Sequence, residues 1–268
     1  MRVEQLGEGE PELAIVGGIH GDEPCGPRAI EALLREEPPV ERPVKLVVAN
    51  EEALSRNLRY VDEDLNRAFP GDPDAETHER RLAHDLWHEL RGLTVFSMHS
   101  TQSYARPFAL CNTLDALARA VVPYLSVDAL VETGSFSEGR LIEQPDVIEV
   151  ECGMQGSDQA AENGYTLCRE FLAAMGALPG EPHGNDEVPV FELGPAVPKI
   201  GGERFEVFVE NFERVDAGQR FAAADGEPLE ADEPFYPILM SAYGYEDVFG
   251  YTGTLCGRLG ADSQHADD

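Results

Sequence analysis

His20 and Glu23 stand three residues apart in the segment GGIHGDEPCG, residues 17–26. An imidazole and a carboxylate at that spacing can be folded toward one point, because Gly17, Gly18, Gly21 and Gly26 leave the turn free to tighten. Two histidines and a glutamate are one standard ligand set for catalytic zinc, which keeps a further position open for water. His-x-x-Glu alone is common, and an ordinary turn histidine accounts for most instances of it. The second histidine would have to come from a distant segment. His99, directly after an apolar run in TVFSMHST, is such a residue, with a satisfied core histidine as the plain alternative. Hydrolysis also needs a carboxylate to take a proton from water and return it to a leaving amine. Glu151 in VIEVECG fits that role, and Glu149 shares its face if the segment is extended. A charge at a sheet edge would look the same. In NLRYVDEDLNRAFPG, residues 57–71, Arg59, Asn66 and Arg67 could grip a carboxylate, since arginine offers a planar fork of donors. The alternative is surface pairing with Asp62, Glu63 and Asp64. His84 and His88 have helical spacing but lack the H-E-x-x-H pattern, so they read as a solvated face. There is no phosphate loop, GxSxG elbow or dinucleotide fingerprint.

These groups need elements to hold them. ELAIVGGI (12–19), VKLVVAN (44–50), LTVFSMH (93–99) and VIEVECG (147–153) read as strands. PRAIEALLREE reads as a helix with Ile30, Leu33 and Leu34 on one face, and residues 74–92 as a helix with Leu82, Leu86 and Leu90 as its stripe. LDALARAVVPYL is helical up to Pro123, and QAAENGYTLCREFLAAMG is helical up to Gly176. Strands alternating with helices predict an α/β domain over 1–178, with a mixed, largely parallel sheet flanked by helices. In such sheets ligands sit at the carboxyl ends of strands, and His20, Asn50, His99 and Glu151 each fall there. Residues 176–189 read as a linker, followed by a small β-rich domain over 188–268 with a frayed ADSQHADD tail.

Of 268 residues, 51 are acidic and 20 basic, for a formal net charge of −31. Such charge repels nucleic acid and anionic membranes. The acids run along the whole chain, which excludes a disordered acidic tail. Only Lys45 and Lys199 are lysines. The pattern resembles proteins of halophilic archaea, whose self-repulsion molar salt screens. No secretory pattern opens the chain and no apolar run reaches the ~20 residues of a membrane span, so a cytoplasmic setting is expected. Five cysteines without a CxxC pair predict reduced thiols.

In order, these segments resemble the succinylglutamate desuccinylase/aspartoacylase family, within the zinc carboxypeptidase-like superfamily. The resemblance is carried by His20-Gly-Asp-Glu23, Asn50-Glu-Glu-Ala53, Arg59-Tyr-Val-Asp-Glu-Asp-Leu-Asn66-Arg67-Ala-Phe-Pro-Gly71, His99-Ser100 and Glu151-Cys-Gly153. It covers roughly residues 12–165. It implies a zinc-dependent amidohydrolase acting on a small anionic N-acyl amino acid, with one zinc on His20, Glu23 and His99. It implies Glu151 as the catalytic carboxylate, with Arg59, Asn66 and Arg67 as substrate anchors and Arg59 also acting on the carbonyl. Arg140 and Tyr243 are the best matches to two further substrate contacts. Two positions depart from the pattern: Ser97 stands where the family commonly has Asp, and Asp22 where aspartoacylases usually carry Asn. Two rivals remain open at this stage. One is a metallocarboxypeptidase acting on a peptide C-terminus. The other is a non-catalytic acyl-amino-acid binding protein.

Overall fold

A strand covered on both faces is apolar at successive positions rather than at alternate ones. The computed structural model describes residues 1–134, 139–185 and 187–261, and it forms strands from each such run. β1 (Arg2–Leu6) is a mostly exposed edge strand; β2 (Leu13–Gly17) and β3 (Val44–Val48) flank helix α1 (Cys25–Glu36). Helices α2 (Glu51–Arg56) and α3 (His78–Leu90) lead into β4 (Thr94–Thr101). Next come β5 (Phe108–Cys111), α4 (Ala116–Val121), β6 (Leu130–Glu132), β7 (Val147–Met154) and α5 (Asp158–Ala174). The chain continues with β8 (Val188–Pro198), β9 (Phe205–Val207), β10 (Arg220–Ala224), β11 (Glu227–Glu230), β12 (Tyr236–Ile238) and β13 (Val248–Leu259). The tail expected to fray lies largely in 262–268, outside the described residues.

All five residues of β2 are buried, and alternate ones serve opposite faces. Leu13 and Ile15 join the core that includes Ile30 and Leu33 of α1 and Phe171 of α5. Ala14 and Val16 pack with Leu82, Leu86 and Leu90 of α3. Phe96 of β4 stacks on Phe171 with ring centroids 4.7 Å apart. Each such side chain stabilises the fold by about 1.5–3 kcal/mol relative to exposure.

Two expected boundaries move. The helix read from residue 74 begins at His78, because Asp62 in the preceding loop accepts the His78 N–H at 2.7 Å while Asp74 turns its own N–H onto Asp72. The helix expected up to Pro123 ends its α-helical part at Val121 and runs through Pro123 as a 3-10 turn.

The main sheet has the order β1-β3-β2-β4-β7-β5-β6-β8-β13-β12. β3, β2, β4 and β7 run parallel, so their carboxyl ends share one edge of the sheet. β1 pairs antiparallel to β3, and β5 antiparallel to β7. Beyond the Gly- and Pro-rich stretch, β8, β13 and β12 continue this same sheet, while β9, β10 and β11 form a separate antiparallel one. The smaller sheet has its own apolar cluster, which includes Phe221, Phe235 and Phe249. No helix among the described residues is long and apolar enough to cross a membrane.

Candidate metal and catalytic site

The turn after β2 is tight because two backbones meet there. A Cβ on Gly17 would lie 2.6 Å from the Gly26 carbonyl carbon, and one on Gly21 would collide with the Ala53–Leu54 backbone of α2. Only glycine permits both approaches. The turn thereby delivers His20 and Glu23 to the edge where β4 ends. Their ligand atoms and that of His99 all lie within 4.8 Å of one another, the one such trio of metal-binding type among the described residues.

Glu23 sits between the two histidines. His20 Nδ1 is 2.7 Å from Glu23 Oε1, and His99 Nδ1 is 3.2 Å from Glu23 Oε2. The Ser100 backbone N–H also donates to Oε2, at 3.1 Å. The outer nitrogens point away from this centre. His20 Nε2 lies 3.1 Å from Asp64 Oδ1, and His99 Nε2 lies 3.3 Å from Ser97 Oγ. All three trio residues are buried. Burial works against the charge on Glu23, yet His20 and His99 more than offset it and hold this carboxyl well below its usual range. Burial likewise lowers His99, and Glu149 and Glu23 more than reverse it, so His99 stands well above the ordinary histidine value.

On β7, Glu151 lies in register with His99, and Glu149 with Ser97. Burial, reinforced by the negative charges of Glu23 and Glu149, pushes the Glu151 carboxyl up to about 7. That suits a group exchanging protons at neutral pH. Unmet polar atoms bear on whether a cation fits here. Asp22 Oδ1, Ser100 Oγ, Arg140 Nε, Glu149 Oε1 and Glu151 Oε2 are buried without a hydrogen-bond partner. Buried polar atoms are normally satisfied, so the orphaned Glu151 Oε2, opposite His99, leaves a place for a polar ligand. Buried carboxylates in numbers beside two histidines fit a divalent cation by charge, and nitrogen and oxygen donors fit zinc by type.

The loop after α2 brings the arginines. Arg59 donates to Asp64 Oδ2 from Nε at 3.2 Å and from Nη2 at 3.1 Å, and reaches Glu23 Oε1 at 3.3 Å. Surface pairing with Asp64 and attachment to the site are therefore the same contact. Asn66 is buried, and its Oδ1 accepts the Leu141 N–H at 3.0 Å. Arg67 is exposed at its tip, and partial desolvation of its stem, followed by the Arg140 charge, lowers its pKa. Arg140 also acts on Glu149. The structure thus brings His20, Glu23, His99, Arg59 and Glu151 together, with Asn66 and Arg67 on the same loop as Arg59 and the Arg140 charge reaching Glu149 and Arg67. Tyr243 stands apart from them. It is 66% exposed, with its ring 6.0 Å from Lys199 Nζ. Tyr245, two residues on, feels the charges of Glu151, Arg140 and Arg59, and burial raises its pKa. His84 and His88 stack on each other at 6.0 Å on the outer side of α3, and all five cysteines are free thiols.

Residues 9–140 match the model of the succinylglutamate desuccinylase/aspartoacylase catalytic domain. The chain belongs to the succinylglutamate desuccinylase/aspartoacylase family. It is 36% identical over 110 residues to aspartoacylase of Mus musculus, which covers 38% of this chain and 34% of the mouse protein. It is 30% identical over 203 residues to a probable aspartoacylase of Parasynechococcus marenigrum, covering 64% of this chain and 65% of that one. The matched segments thus span from about a third to just under two-thirds of these relatives. Among solved structures, the product-bound ectoine utilization protein EutE (DoeB) of Ruegeria pomeroyi superposes with a TM-score of 0.77 at 21% identity, over 96% of this chain and 88% of that one. Murine aminoacylase 3 superposes with a TM-score of 0.71 at 21% identity, over 94% and 98%. At these identities the likeness establishes the shared fold. The family match contains the metal trio, the loop arginines and Arg140; Glu151 and Tyr243 lie beyond it.

Asp64 and Glu79 were not singled out by sequence as parts of the site, whereas Asn50 was placed at a strand end. Asp64 holds both His20 and Arg59. Glu79 is fully buried and accepts from Val61 N, Asp62 N, Glu63 N and Asn50 Nδ2 at 2.7–3.2 Å, anchoring the arginine loop. Asn50 Oδ1 caps α2 through the Ala53 N–H. Glu79 carries no local signal in a chain with 51 acids, and Asp64 read only as a surface partner of the arginines. Tyr245 had one, its place in SAYGYEDVFG, but Tyr243 shared it.

Proposed function

We propose that the protein is a zinc-dependent hydrolase of the amide bond of a small anionic N-acyl amino acid, giving a carboxylate and a free amino acid. The observation that carries this reading is the convergence of His20, Glu23 and His99 beside the buried, proton-exchanging Glu151. His20, Glu23 and His99 would hold the zinc. Zinc bound there supplies a Lewis acid and makes water a nucleophile near neutral pH. Glu151 takes a proton from the attacking water and returns it to the nitrogen of the departing amino acid. Asn66 and Arg67 hold the substrate's α-carboxylate, with Arg140 adding positive charge to the same wall. Arg59, already against Glu23, donates to the amide oxygen as negative charge develops on it.

Within the β-rich segment expected over 188–268, the described residues up to 261 are read as capping the site, and Tyr245 is assigned to the underside in place of the exposed Tyr243. Leu193, Ile238 and Tyr251 of that segment line a small recess together with Arg140, Leu110 and Val131. The family match favours the acylase over the metallocarboxypeptidase. The intact Glu151 disfavours a binding protein without turnover.

The first test is zinc content by elemental analysis, with amine release from N-acetyl-aspartate and N-succinyl-glutamate, in molar KCl. About one zinc in the wild type, and markedly less zinc and no turnover in His99→Ala, is the expected result. A folded wild type that takes up no divalent metal defeats the hydrolase reading. The choice of molar KCl follows from a second proposal, that the −31 charge suits a high-salt cytoplasm. The melting temperature should rise with KCl, and a protein equally stable without salt refutes that setting.

A further inference from the structure

A histidine that binds a metal through one nitrogen has a second nitrogen to place, and a partner there fixes its tautomer and its ring. His20 meets this need with Asp64. His99 turns Nδ1 toward Glu23, so its Nε2 needs the partner. Ser97 Oγ is 3.3 Å from that nitrogen, and a hydroxyl brings no charge. Across the sheet, Glu149 Oε1 lies 3.7 Å from the same nitrogen. That carboxylate is buried to 4% exposure and its Oε1 has no hydrogen-bond partner. The arrangement follows from register. Ser97 lies opposite Glu149 and His99 opposite Glu151 on parallel strands, and the two-residue period puts all four side chains on one face.

We infer that Glu149 is the positioning residue for His99, accepting its Nε2–H and so holding the tautomer that leaves Nδ1 for the metal. The inference rests on the proposed metal site and adds to it a carboxylate borne by the neighbouring strand. A shift of about 0.5 Å brings the 3.7 Å gap to hydrogen-bond length. An unpaired buried carboxylate is strongly unfavourable, so a Glu149 without this partner would be a liability. The competing role is a counter-charge for Arg140 alone, which would leave metal binding untouched.

The experiment measures zinc affinity by chelator competition on the full chain in molar KCl, for the wild type, Glu149→Gln, Ser97→Asp/Glu149→Gln and Ser97→Asn/Glu149→Gln. Glu149→Gln should bind zinc about 10–100-fold more weakly. Ser97→Asp in that background returns a carboxylate to the same nitrogen from the other strand and should recover most of the loss. The Ser97→Asn partner should not. If Glu149→Gln alone does not fold, the two double variants carry the comparison, since they differ by one carboxylate. Wild-type affinity in Glu149→Gln, or equal affinity in the two double variants, overturns this inference alone. A wild type that binds no zinc overturns it together with the hydrolase reading.

Discussion

Half of the site is carried by strands and half by a loop, and the two halves are secured in different ways. His99, Glu149 and Glu151 sit on β4 and β7, whose main chains are tied along a parallel ladder. Losing one ladder bond leaves the others in place. Arg59, Asp64, Asn66 and Arg67 sit on a loop whose only regular piece is the 3-10 turn Leu65–Arg67. Three consecutive N–H groups of that loop converge on the single carboxylate of Glu79. The strand half is therefore robust to single changes in its support, while much of the loop's support converges on one carboxylate, with Asp62 and Asn66 adding a contact each. In the proposed reading, His99 and Glu151 of the strand half act at the reacting atoms together with His20 and Glu23 of the turn after β2, and the loop arginines hold the substrate.

The sharpest test of that division removes chemistry from the rigid half without moving it. Glu151→Gln should retain zinc and the native melting temperature and lose about 10²–10⁴-fold in kcat, the usual worth of a positioned proton-transfer group. An active Glu151→Gln would refute the assignment. Next comes the loop. Glu79→Gln should cost about 1–3 kcal/mol, because Gln places an N–H donor among N–H donors. It should raise KM more than it lowers kcat, with zinc content unchanged; lost zinc would show that the two halves are not separable. The same group gives a pH dependence. Burial raises the Glu79 pKa, and the bonds from Val61, Asp62, Asn50 and Glu63 more than offset it, so the folded value is depressed. Its contribution is complete above the unfolded value of about 4.3 and is lost as pH falls through the lower folded value. The stability gap between wild type and Glu79→Gln, read by urea unfolding, should therefore shrink below about pH 4. The smallest effect separates two tyrosines. Tyr245→Phe should lower kcat/KM, whereas Tyr243→Phe should leave it near wild type; the reverse order would return the contact to Tyr243.

The strand half was also the more legible. β2, β3, β4 and β7 are covered on both faces, so their apolar runs are continuous and their ends are marked by polar or glycine residues. His20 and His99 gained meaning from lying just past such ends. β5 and β6 have four and three residues, too short for any periodicity, so the antiparallel insertion beside β7 left no trace in the pattern. β1 is largely exposed and reads as polar. Glu149 was visible as the same-face neighbour of Glu151, but its partner is set by the register of β7 on β4, which local sequence does not encode. Asp64 and Glu79 needed the loop's fold to be known first. The arginines were legible by type alone, and so was their pairing with nearby acids.

The place of β6 bears on how this chain is made. It pairs β5 on one side and β8 on the other. On the ribosome everything through α5 emerges before β8 exists, and domains form largely from the N-terminus onward. In that interval β6 ends the nascent sheet with unpaired N–H and C=O groups, which is a template for a neighbouring polypeptide. Its three residues offer very little of that template. The shortness of that strand is what guards the interval between translation of the two halves.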